Sequence, residues 1–131
     1  MTIGRSAEDY LEAILMIHER QGYVRSTDVA EQLGISKPSV SNATKRLRES
    51  EYLTTDPAGM LVLTPSGMEI ASRIYARHRA LTDFFIRIGV RPVQAKEDAC
   101  KIEHDISDAS FEAIKNHALA PESAPSAGKG A

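Results

Sequence analysis

Residues 98–107 read DACKIEHDIS and hold the only cysteine of the chain, Cys100, with Glu103 and His104 three and four positions behind it. On a helix those positions share one face, so a thiol, a carboxylate and an imidazole would stand side by side. The grouping suits a redox sensor, an active site or a metal site, and it also arises by accident. Two further groups bear on the choice. Asp9 and Glu12, at i and i+3, share a face of an N-terminal helical stretch, and His78 interrupts an apolar stripe where an aliphatic residue is expected. Each has a bland reading: acids favoured by a helix dipole, a hydrogen-bonded core histidine, a small buried thiol. Taken together, six side chains offering nitrogen, oxygen and sulfur donors favour a transition-metal site.

The elements that must position these donors follow from periodicity and punctuation. Ser6 with Asp9 resembles a capping box and opens a first helix striped by Tyr10, Leu11, Ile14, Leu15 and Ile17, with Gly22 as its stop. A short second helix over about 27–33 ends at Gly34. Ser36 then caps a third helix, with Pro38 in its first turn and Val40, Ala43 and Leu47 facing inward. The strand-like runs YLTT and MLVLT are joined by DPAG, a turn sequence. TPSG starts a long fourth helix over about 65–88, with a buried seam of Ile70, Ile74, Leu81, Phe85 and Ile88 that also carries His78. A fifth helix over about 93–106 carries the opening motif, and Ser107 caps a sixth with Phe111 and Ile114 inward.

Helix, helix–turn–helix and hairpin in that order make a winged helix. The expected fold is mainly α: an N-terminal winged helix–turn–helix with a small β-hairpin wing over 1–73, a helical region over 74–118, and a disordered tail over 119–131, mostly APESAPSAGKGA.

Composition is ordinary for a globular protein, at 42% hydrophobic and 26% charged. No apolar run approaches the ~18 residues of a membrane span, no signal peptide is evident, and one cysteine cannot form an internal disulfide, so the chain reads as cytoplasmic. A net charge of −2 does not advertise a nucleic-acid binder, yet Ser36 to Arg48 holds Lys37, Lys45, Arg46 and Arg48 and no acid. The third helix would present Lys37, Pro38, Ser39, Ser41, Asn42, Lys45 and Arg46 outward, with hydroxyls and an amide to read base edges and cations to hold phosphates of double-stranded DNA. A solvated helix in a protein-binding winged helix is the competing reading, and it leaves Asn42, Lys45 and Arg46 without a role.

AEDYLEAI, ISKPSVSNATKRL, RHRAL and DACKIEHDIS together resemble the DtxR/MntR family of metal-dependent transcriptional repressors, over roughly residues 6–114. By length the chain is most similar to the short, two-domain manganese-regulator branch. The resemblance implies a metal-binding and dimerisation region after the winged helix, a homodimer on a palindromic operator, and repression of metal-uptake genes. It also implies Asp9, Glu12, His78, Glu103 and His104 as metal ligands. Cys100 departs from the manganese branch, which has glutamate there, and matches the iron branch; Thr82 and Lys96 stand where the iron branch needs a carboxylate and a histidine.

The donor set is therefore a hybrid. Asp9 is a hard donor that suits Mn(II), whereas a Cys100 thiolate gains most from later metals. Mn(II) is the favoured ion and Fe(II) the alternative, with one or two ions per subunit; in the two-ion case Asp9, His78, Cys100 and Glu103 hold one, and Glu12, Glu103 and His104 the other. No HExxH or comparable catalytic motif accompanies these ligands, so an enzyme is not expected. The rival function is a metal-independent winged-helix regulator with Cys100 as a redox-sensing thiol, although no resolving cysteine exists.

Overall fold

The computed structural model describes residues 4–119, in the order α1 (Arg5–Gln21), α2 (Ser26–Leu33), α3 (Lys37–Glu49), β1 (Leu53–Thr55), β2 (Leu61–Leu63), α4 (Pro65–Arg87), α5 (Pro92–Ile102) and α6 (Asp108–Leu119). Residues 120–131, nearly all of the expected tail, lie outside the described residues. By its contacts the chain divides after Tyr75, within α4, into two units.

The N-terminal unit is a winged helix. Its core joins Leu11, Ile14 and Ile17 of α1 to Val29 of α2, Val40 and Leu47 of α3, Leu53 and Leu61 of the hairpin, and Ala71 of α4. Helix α1 begins earlier than its sequence suggests: Gly4 is the N-cap and Ser6 already stands inside the first turn, so the expected Ser6 capping box does not form. The stop is as expected, with Gly22 left-handed at φ 86° and its N–H on the His18 carbonyl at 2.8 Å. Gly34 makes the same left-handed exit from α2, at φ 67°, and turns the chain toward α3. Strands β1 and β2 pair antiparallel with Leu53 opposite Leu63 and Leu61 opposite Thr55. Asp56 closes their turn, its Oδ1 accepting from the N–H groups of Ala58 and Met60 at 2.9 Å each.

Asp28 fastens the start of α2. Its carboxylate accepts from the Arg25 guanidinium and backbone N–H and from the Gln21 amide, at 2.9–3.2 Å. The Arg25 side-chain hydrogen bond, foremost, holds this carboxyl below the usual carboxylate range. Because the folded value lies below the unfolded one, near ~3.9, the stabilisation is complete above about pH 4 and is lost as pH falls through the depressed value. Asp28→Asn is therefore expected to lower the thermal midpoint at neutral pH, with the gap to the parent narrowing in acid. Calorimetry across that range checks it; a gap independent of pH would contradict the linkage.

A constraint invisible to periodicity sits at the start of α4. A Cβ built on Gly67 would lie 2.0 Å from the backbone oxygen of Tyr52. The same carbonyl accepts the Thr64 N–H at 3.2 Å, which binds the base of the wing to the helix start. Gly67→Ala should gain helix propensity of about 1 kcal/mol yet cost at least about 2 kcal/mol net, because the backbone must move to make room. Chemical denaturation checks this, and an alanine variant as stable as the parent would contradict the close approach.

In the C-terminal unit, Leu81, Ala95 and Ala99 are fully buried and Phe111 nearly so. Two expectations need correction. Helix α5 ends at Ile102 rather than near residue 106: the Asp105 and Ile106 N–H groups both return to the Ile102 carbonyl, at 3.0 and 3.1 Å, tightening the chain into a turn. Ile88 is 60% exposed, because α4 ends at Arg87 and the following turn carries Ile88 off the seam, while Phe85 is half-buried. Phe111 faces inward from α6 as expected, and Ser107 accepts the Ser110 N–H at 3.0 Å as its cap. Among the described residues no helix is long and apolar enough to cross a membrane.

Candidate metal centre and nucleic-acid interface

The buried stripe of α5 runs Ala95, Ala99, Glu103, at steps of four. That step carries a carboxylate straight into the interior: Glu103, the C-cap residue, still has helical backbone angles and 0% exposure. Its Oε1 lies 2.9 Å from Nδ1 of His78 on α4. Its Oε2 lies 3.4 Å from Nε2 of His104, whose side chain is 2% exposed, and makes no hydrogen bond. With Nδ1 of His78 taken as the protonated nitrogen, that imidazole donates to Glu103 and keeps the Nε2 lone pair for another partner.

A wholly buried carboxylate oxygen without a donor is costly unless a cation meets it. One carboxylate between two imidazoles offers borderline nitrogen and oxygen donors of the kind divalent transition ions take. The residues present therefore fit a metal ion.

The other expected ligands are placed as follows. Asp9 and Glu12 lie one turn apart on α1, half-buried and 5% exposed respectively. Glu12 is a second buried carboxylate. Cys100 is exposed. Sequence spacing put it on one stripe with Glu103 and His104; instead it follows Ala99 by one residue, about 100° around the helix from the buried line. Glu103 is interior because it prolongs the buried line of α5, and His104 joins it at the turn that follows. Thr82 is buried and its hydroxyl donates to the His78 carbonyl at 2.7 Å, and Lys96 is exposed.

One residue of the centre escaped the sequence reading. Arg77 precedes His78 and is 5% exposed, with its guanidinium donating to the carbonyls of Glu103 and Ile106 and to the carboxylate of Asp108. The signal was present: Ile74, Arg77 and Leu81 are spaced three and four apart, which puts a cation on the buried seam.

Helix α3 separates its residues cleanly. Val40, Ala43, Thr44 and Leu47 are buried, while Lys37, Pro38, Ser39, Ser41, Asn42, Lys45 and Arg46 are all exposed. Ser36 caps it, accepting the Ser39 N–H at 3.2 Å and bonding the Ser39 hydroxyl at 2.9 Å. The outer face thus combines cations with hydroxyl and amide groups on a rigid element, as a major-groove reading helix requires.

Comparison with known proteins agrees with both halves. Residues 2–61 match the iron-dependent repressor N-terminal DNA-binding domain, and residues 64–129 the iron-dependent repressor metal-binding and dimerisation domain. The chain is 42% identical over 102 residues to the HTH-type transcriptional regulator MntR of Shouchella clausii, covering 78% of this chain and 71% of that one. It is 38% identical over 109 residues to the regulator of the same name from Bacillus pumilus, covering 83% and 76%. A solved manganese-dependent transcriptional repressor in complex with manganese superposes with a TM-score of 0.78 at 30% identity, covering 86% of this chain and 52% of that one. The chain thus spans about half the length of that solved structure.

Proposed function

Because the chain belongs to the iron-dependent repressor family of metal-dependent transcriptional regulators, we propose that it represses metal-uptake genes as a homodimer on a palindromic operator, with Mn(II) as co-repressor. The observation that carries this is the buried Glu103 carboxylate held between His78 and His104, with one oxygen lacking a donor. Asp9 and Glu12, the two acids on one face of α1, are the further ligands that the family resemblance implies. When bound, the ion would supply the positive charge that these carboxylates need, and the ligand set implied by the resemblance draws on both halves of the chain.

Every other step belongs to the protein. Residues 1–73 carry the reading helix, and 74–118 hold the dimer and the α4–α5 donors. With α1 tied to those donors, two α3 helices would keep the spacing of one DNA turn, roughly 34 Å. The metal-free protein would populate that spacing less often, and a 10²-fold preference for the competent state is worth about 2.7 kcal/mol.

Asp9 favours Mn(II) because a carboxylate oxygen is a hard donor, and Fe(II) is the alternative. Cys100 adds sulfur only where ligation draws in an exposed side chain, and Cys100→Glu should then move the preference further toward Mn(II). The metal-independent thiol switch is not favoured, since both halves of the chain match a metal-dependent repressor family.

The test is anaerobic binding to a palindromic uptake-gene promoter fragment, titrated with Mn(II), Fe(II), Zn(II) or chelator. Affinity rising about 10²-fold with Mn(II) and lost to chelator is the expected result. Affinity unchanged by every metal would remove the metal-sensing reading, and a response to oxidant alone would install the thiol switch.

A further inference from the structure

Glu103 caps α5 and the chain from His104 to Ser107 leaves the helix for a turn, so helical structure alone does not fix how that turn is held. Something else must. The turn from Glu103 to Ser107 is closed on one side by the Ile102 carbonyl, which takes the N–H groups of Asp105 and Ile106. On the other side stands Arg77. Arg77 Nη1 donates to the Glu103 carbonyl at 3.1 Å and to the Ile106 carbonyl at 2.7 Å, while Nη2 bonds Asp108 at the first turn of α6. The guanidinium carbon stands 5.2 Å from the centre of the Phe111 ring, which stacks it from the α6 side.

Burying a guanidinium is expensive unless its fork is satisfied, and Arg77 is 5% exposed. Three acceptors spaced along residues 103–108 match the planar fork, which a lysine ammonium cannot reproduce. The Glu103 backbone that Arg77 grips is the one whose side chain meets both imidazoles.

We propose that Arg77 is the positioning residue of the metal centre: it orders the 103–108 turn before metal arrives and ties the Glu103–His104 ligands to α6. The inference rests on the metal-binding reading of Glu103 and His104. Pre-ordering means that the ordering entropy of the turn is spent in folding, not at binding, so metal affinity depends on Arg77 although it donates no ligand atom. It also gives α6 a direct mechanical link to the ligand turn, through Asp108 and Phe111.

Arg77→Lys is the test, since it keeps the charge and breaks the fork. Competition titration of Mn(II) into the metal-free full chain should show affinity weakened about 10- to 100-fold. Amide exchange at Asp105 and Ile106 should quicken in the metal-free variant and return to the parent rate at saturating Mn(II). A purely structural arginine would lower the thermal midpoint and leave Mn(II) affinity where it was; that result in a folded variant overturns the proposal. Should the lysine variant not fold, the parent decides: Asp105 and Ile106 amides protected without metal support pre-ordering, and exchange at the rate of open chain overturns it. Failure of the parent to bind Mn(II) at all would instead overturn the metal-binding reading beneath it.

Discussion

Glu103→Gln is expected to weaken Mn(II) binding by at least about 10²-fold, beyond what changing residues that merely support ligands costs, while leaving the metal-free protein as stable as the parent or more so. The opposite signs follow from the same atoms. Glutamine keeps an oxygen for the His78 Nδ1 contact of 2.9 Å. It exchanges the anionic Oε2, which has no hydrogen-bond donor in a fully buried site, for a neutral amide group. A buried carboxylate without adequate compensation destabilises, and its neutral isostere relieves that cost. The metal loses an anionic ligand for the same reason that the empty fold gains. Titration of Mn(II) and thermal unfolding in chelator read the two effects separately. A structural glutamate would lose stability on substitution and keep its metal affinity, and that pair of results would dismiss Glu103 as the centre of the site.

Much of this was legible before any coordinates. The helix–turn–helix was, because its signals are local: left-handed glycines at 22 and 34, a serine cap at 36 and an apolar inner face on α3 each act within a few residues. The outward face of α3 followed from the same periodicity. Candidate donors were also legible by chemistry, as Asp9, Glu12, His78, Cys100, Glu103 and His104, and of these the structure brings His78, Glu103 and His104 together. What periodicity missed depends on where helices stop. The run after Cys100 keeps a helical rhythm in sequence, yet α5 ends at Ile102, and Cys100 is exposed because it lies off the buried line of Ala95, Ala99 and Glu103. Arg77 was passed over because arginine usually reads as surface; its three acceptors lie 26 to 31 residues away, beyond any local pattern. Gly67 was read only as part of a helix start, although its need for a bare Cα comes from Tyr52 across the wing.

Joint replacement of Lys45 and Arg46 by alanine should reduce operator affinity by about 10³-fold at 0.15 M salt and flatten the salt dependence by about 3.6 in the log–log slope. The reasoning is counterion release. Each phosphate contact contributes a slope of about −0.9, and two cations on each of two reading helices make four contacts in a dimer. At 0.15 M each contact is then worth about 0.74 in log affinity, and four give the thousandfold loss. Both side chains are exposed on α3, opposite its buried Val40, Ala43 and Leu47, so folding should not change. Asn42→Ala, by contrast, removes a group suited to a base edge and should relax sequence preference by about 1–3 kcal/mol while leaving the slope intact. Binding isotherms across a salt series, with Mn(II) saturating, distinguish the two substitutions. A double variant with the parent's slope would place the DNA on another face of the winged helix. A variant that lost Mn(II) affinity as well would show that the α3 surface and the metal centre are not separable parts.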